Sequence, residues 1–205
     1  ALYGWRGHTI GADRGVFAPI SREGALVLNN LFLTVATATV LIGTLYPLAA
    51  EAVFQQAISV GPPYFNMTFN PLMAILLLAL PVAPLMAWKR ADLAGALQRL
   101  WVAAAISIGV GIVVAAMAGE KALAAVGLGL GTWLVLGALV EFADRIRLGK
   151  LPFGQSMTRM RTLPRAAIGM TLAHLGVGIF TLGAVAETSF RIEQTLSLTA
   201  GQSAE

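Results

Sequence analysis

The chain has 205 residues, of which 57% are apolar and only 12% charged, with a mean hydropathy of +0.76. A soluble domain carries about 25% charged residues, so the fold class is an all-α integral membrane protein, and its length counts bilayer crossings of about 20 residues rather than soluble domains. The absence of cysteine excludes disulfides, thiolate metal sites and thiol catalysis, and the 14 Lys and Arg against 10 acids point to lipid headgroups, not nucleic acid, because they fall in short loops between apolar runs.

The first residues, ALYGWRG, show neither an initiator Met nor a signal-peptide layout. They read like the end of an earlier span, which makes this chain a part of a longer protein or one piece of a split one. Five apolar runs follow, over about 24–48, 70–88, 100–118, 122–142 and 166–186, and they predict a bundle of five transmembrane helices. Arg6, Arg14, Arg22, Lys89, Arg90, Arg99, Arg145, Arg147, Lys150, Arg159, Arg161 and Arg165 fall on one side of these runs, and only Lys121 and Arg191 on the other. The positive-inside rule then places the N-terminus in the cytoplasm and the C-terminus on the outer, periplasmic side.

Span one carries Asn30, Thr34, Thr37 and Thr44 at helical offsets, a stripe expected to face other helices because lipid cannot satisfy its hydrogen bonds. The following loop, residues 51–69, contains VGPPYFN, whose prolines stiffen it. Phe54, Tyr64, Phe65 and Phe69 there suit an interfacial aromatic belt. In span three Ser107 and Gly111, and in span four Gly127 and Gly131, have the four-residue spacing that lets backbones approach. Residues 187–205 change character: Phe190, Ile192, Leu196 and Leu198 alternate with polar residues, as in the start of a truncated outer β domain.

His174 lies near the middle of span five, where an ionisable group costs roughly 2.5–3.5 kcal/mol if charged. Imidazole can stay neutral there and bind a metal through either ring nitrogen. At about 100° per residue, Met170, Thr171, Gly178 and Thr181 share its face, and Gly169, Gly176 and Gly183 lie opposite. The glycine side is expected to pack on another helix. Gly178 then leaves a bare patch one turn from His174 for a flat macrocycle, and Thr171 or Thr181 can hydrogen-bond the imidazole or a ligand. Spacing alone leaves three readings open: a structural histidine bonded to a neighbour, an axial haem ligand, or a proton relay in a proton-coupled transporter subunit. His8 is too shallow to pair with it. No Ser/His/Asp set, Walker loop, HExxH motif or intramembrane carboxylate pair is present, and no catalytic residue is assigned.

Three segments together, SREGALVLNNLFLTVATATVLIGTLYPL (21–48), VGPPYFN (60–66) and LAHLGVG (172–178), resemble the C-terminal half of the CcmF family, the membrane haem lyases of bacterial cytochrome c maturation. The resemblance implies a multi-pass protein of the bacterial inner membrane that supports covalent attachment of haem to the CxxCH cysteines of apocytochrome c. It implies as partners a haem chaperone, apocytochrome c, other maturation membrane proteins and an N-terminal part of the same protein. It also implies a b-type haem within the membrane, held by two histidines and reducing the incoming haem iron. His174 matches the second of those ligands, so the haem iron is its expected metal and Gly178 its expected neighbour at the cofactor. The family's tryptophan-rich outer motif, its outer histidines and its first transmembrane histidine are absent, since Trp5, Trp88, Trp101 and Trp133 are scattered. This chain alone is therefore expected to supply one axial ligand and part of a wall.

Overall fold

The computed structural model describes residues 19–55, 58–86, 92–118 and 122–192. Its helices are α1 (Arg22–Phe54), α2 (Pro62–Ala79), α3 (Leu93–Ala118), α4 (Ala122–Arg145), α5 (Phe153–Arg161) and α6 (Arg165–Phe190), with a single 3₁₀ turn at Ala83–Leu85 after α2. Among the described residues five segments are long and apolar enough to cross a bilayer: α1, α2 with its 3₁₀ turn, α3, α4 and α6. Among the described residues there is no β-strand, only an isolated bridge between Leu148 and Leu151.

Each span is longer than the apolar run that announces it, and local chemistry explains why. α1 starts at Ser21, whose buried hydroxyl accepts from the Gly24 N–H at 3.1 Å and satisfies one donor of the first turn. It runs past Pro47 and stops at Gln55, a left-handed residue with φ 53°. Gly61 then caps α2 and Pro62 opens it, because proline's fixed φ suits a first helical turn and its missing N–H removes a donor that would be orphaned there. Much of the expected loop at 51–69 is thus helix, residues 51–54 ending α1 and 62–69 beginning α2. Tyr64 and Phe65 turn toward α1: they meet edge to face at 5.2 Å and close on Gly43 of α1, where an added Cβ would lie 2.7 Å from the Tyr64 ring. The Tyr64 hydroxyl donates to the Thr39 carbonyl at 3.2 Å.

The polar stripe of α1 also departs from expectation. Thr34, Thr37 and Thr44 are exposed, and each hydroxyl donates to a carbonyl one turn back, Asn30 O, Leu33 O and Val40 O, at 2.7, 2.7 and 2.8 Å. A threonine can satisfy itself within its own helix, so no neighbouring helix is required. What α1 turns to α2 is a seam of small residues, Ala36, Gly43 and Ala50.

α4 is the centre of the bundle, packed between α3 and α6 with α2 against it. Its glycines admit these neighbours. A Cβ on Gly129 would lie 3.3 Å from the Ser107 carbonyl of α3; Cβ atoms on Gly127 and Gly131 would strike Val185 and Leu182 of α6 at 2.6 and 2.7 Å. The predicted small-residue contacts of spans three and four are therefore those that bring the helices together. On a further side Gly137 receives the ring of Pro81. Pro81 ends α2, and the turn that follows bonds the Val82 N–H to Ala79 O, freeing the Leu78 carbonyl. The indole N–H of Trp133, on α4, donates to that carbonyl at 3.1 Å.

The helix ends rich in arginine gather at one end of the bundle. Asp144 of α4 holds Arg99 of α3 at 3.2 Å and Lys150 at 2.7 Å, and Arg159 of α5 donates to the Arg145 carbonyl. α5, which follows a turn with Arg147 and Gly149 at positive φ, does not show as an apolar run because it is short and largely polar. At the opposite end α6 continues to Phe190, with Glu187 paired to Arg191 one turn on. The alternation expected to begin a β domain at 187 is helical through 190; residues 193–205 of that expectation lie outside the described residues.

Candidate functional site

His174 lies on α6, half buried, in a cavity of about 210 Å³ walled by α1, α2, the 3₁₀ turn and the N-terminal half of α6. Asn29, Phe32 and Arg22 of α1, Leu76 and Ala79 of α2, and Met170 of α6 share the lining. Among the described residues no hydrogen bond engages the imidazole. This matters because a structural histidine would spend its ring on a neighbouring helix.

The other residues expected around it have different employment. Gly178 is buried against α4, where an added Cβ would lie 2.8 Å from Val135 Cγ2 and 2.9 Å from the Val135 nitrogen. Its bare flank is filled by a helix, so Gly178 does not offer the open patch for a macrocycle that the helical wheel indicated. The three glycines opposite, Gly169, Gly176 and Gly183, meet nothing within 4 Å. The two sides have exchanged roles. Only Gly178 is in register with Val135, and a helical wheel carries no information about which small residue meets a partner. Thr171 donates to Glu141 Oε2 at 3.1 Å and to Ala167 O, and Thr181 donates to Val177 O. Neither reaches the histidine.

Glu141, the one charge in the fourth apolar run, has a role that the sequence does not announce. It is 3% exposed, pairs through Oε1 with Arg145 one turn on, and accepts from Thr171 of α6 through Oε2. Arg145 in turn points an N–H at Met170 Sδ, 3.9 Å away, four residues before His174. The available signal was the i,i+4 acid–base pair on the face of α4 that also carries Leu134 and Ala138.

No group of three or more His, Cys, Asp or Glu side chains among the described residues is arranged for a bare ion. A haem asks less of the protein, since the porphyrin supplies the equatorial nitrogens and the chain need give only an axial donor. The donor chemistry fits: an imidazole without a hydrogen bond among the described residues, and apolar walls. The cavity is below the roughly 300 Å³ at which pockets for drug-sized ligands begin, so a macrocycle would also use the flank of α6 beside it, where Ala173 and Val177 are exposed.

The fold and site define a multi-pass helical membrane protein whose one intramembrane histidine among the described residues lines a cavity between three helical segments. No family model and no solved structure matches the chain. Its similarity to curated proteins is extensive. It is 50% identical over 202 residues to cytochrome c-type biogenesis protein CycK of Rhizobium meliloti, covering 98% of this chain and 30% of that protein. Against cytochrome c-type biogenesis protein CcmF of Escherichia coli it is 32% identical over 208 residues, covering 100% of this chain and 30% of the relative. Cytochrome c-type biogenesis protein NrfE of Haemophilus influenzae is 30% identical over 193 residues, or 91% of this chain and 28% of the relative. The chain belongs to the CcmF family of cytochrome c-type biogenesis proteins. It spans about 30% of the length of the curated relatives it matches.

Proposed function

We propose that this chain is the part of a bacterial inner-membrane cytochrome c haem lyase that carries one axial ligand, His174, of a buried b-type haem. The reading is supported above all by an intramembrane imidazole that bonds to nothing among the described residues and faces a cavity. The family relationship places that imidazole in a protein of c-type cytochrome biogenesis, whose working partners would be a haem chaperone, apocytochrome c and the other membrane proteins of maturation. The N-terminal side of α1 then lies in the cytoplasm and the end of α6 on the periplasmic side, in keeping with the basic cluster at one end of the bundle.

His174 presents a neutral nitrogen lone pair, since a charged ring is disfavoured in apolar surroundings. Leu76, Ala79 and Phe32 give the donor apolar walls. A bound b-type haem would supply one-electron chemistry here, reducing the iron of a second haem that awaits thioether formation. In the full-length protein, His174→Ala is expected to abolish or strongly weaken the dithionite-reduced b-type absorption bands. Haem content and spectrum unchanged in that variant would remove the assignment.

A further inference from the structure

Met170, Thr171, Gly178, Leu182 and Val185 of α6 all touch α4. The outer three fit against α4 by shape alone, with Leu182 and Val185 over Gly131 and Gly127 and Gly178 under Val135. Inward of Gly178 the contact changes in kind. There the Thr171 hydroxyl donates to buried Glu141, and Arg145, paired with the same carboxylate, reaches Met170 Sδ. His174 sits between these two zones, one turn outward of Thr171 and one turn inward of Gly178.

A carboxylate taken out of water on its own carries a penalty of several kcal/mol, which pairing and hydrogen bonds must offset. Glu141 therefore holds Arg145 and Thr171 together strongly, and a turn of α6 that carried Thr171 away would leave one carboxylate oxygen without its partner. We propose that Glu141, with Thr171 and Arg145, is a rotational clamp on the inner half of α6 that keeps His174 turned into the cavity toward α1. Glu141 is thus a positioning residue: it does not touch the proposed cofactor, and acts through the angle of the helix that carries the ligand. The inference rests on the haem-site reading for its purpose and on the geometry alone for its existence.

Its test separates the two. The chain contains no cysteine, so in the full-length protein, with any thiols elsewhere replaced, His174→Cys and Asn29→Cys can be bridged across the cavity by a short bismaleimide without haem being involved. Glu141→Ala in this background is expected to lower the bridging yield by about fivefold, the factor that follows from about 1 kcal/mol. Thr171→Val, close to isosteric and insurance against misfolding of the first variant, lowers it in the same direction, and Thr171→Ser restores it. In the histidine-bearing protein the same Glu141 and Thr171 variants shift the reduced absorption maximum or the midpoint potential at unchanged protein level. Bridging that stays at the parent yield in soluble, monodisperse Thr171→Val protein overturns the clamp. A reduced b-type spectrum that survives His174→Ala, with bridging still dependent on Thr171, overturns the haem reading and leaves the clamp standing.

Discussion

α4 and α1 are of similar composition and opposite circumstance. In its most apolar stretch α4 has 39% of residues buried and α1 only 6%. α4 achieves this with glycines on several sides, each receiving a different neighbour, and it carries the interior Trp133 and Glu141 contacts as well. α1 meets α2 along a single seam and the 3₁₀ turn near its N-terminal end, leaving Thr34, Thr37 and Thr44 bonded to their own backbone. Between lipid-like surfaces there is little hydrophobic drive for helices to associate. The difference is therefore made by close approach and polar contacts, not by hydrophobicity, and the cavity at His174 lies where the well-packed group meets the loosely held hairpin.

The comparison breaks hardest where a glycine on α4 is filled. Gly131→Leu is expected to cost about 3 kcal/mol, because Leu182 and its backbone occupy the space and overpacking strains both helices. Thermal unfolding in detergent reads the loss. Trp133→Phe keeps an aromatic ring but removes the donor to Leu78 O and part of the buried indole, so a loss of at least about 1 kcal/mol is expected. An unchanged melting temperature would show the freed carbonyl to be satisfied without the indole. Gly176→Leu, on the uncovered face of α6, should stay within about 0.5 kcal/mol in the same assay; a large loss there would reveal a partner helix over that face. Smallest of all is Thr44→Val on α1, expected within about 0.5 kcal/mol of the parent because its bond is internal to the helix. A larger drop would mean that α1 has a packing partner at that stripe.

The number of crossings, the basic end of the bundle and the intramembrane histidine are all legible in the amino-acid sequence by itself. Length, charge placement and the cost of an ionisable group in lipid are properties of the residues themselves, and they hold whatever the packing. Gly127, Gly131, Ser107 and Gly111 are legible as contact residues for the same reason, since small side chains permit approach anywhere. The use made of Gly178, Thr171 and Glu141 was decided only by the tertiary structure. A helical wheel groups Thr171 and Gly178 with His174, but the rotation and height of α6 against α4 decide that the first two are consumed by packing and the third is left to the cavity. The break after α2 is a similar case: the turn at Pro81 frees the Leu78 carbonyl, but nothing near it along the chain names the indole, 55 residues from Leu78, that satisfies it. Periodicity along one helix determines which residues share a face; only a second helix, brought to a definite distance and register, determines what that face is for.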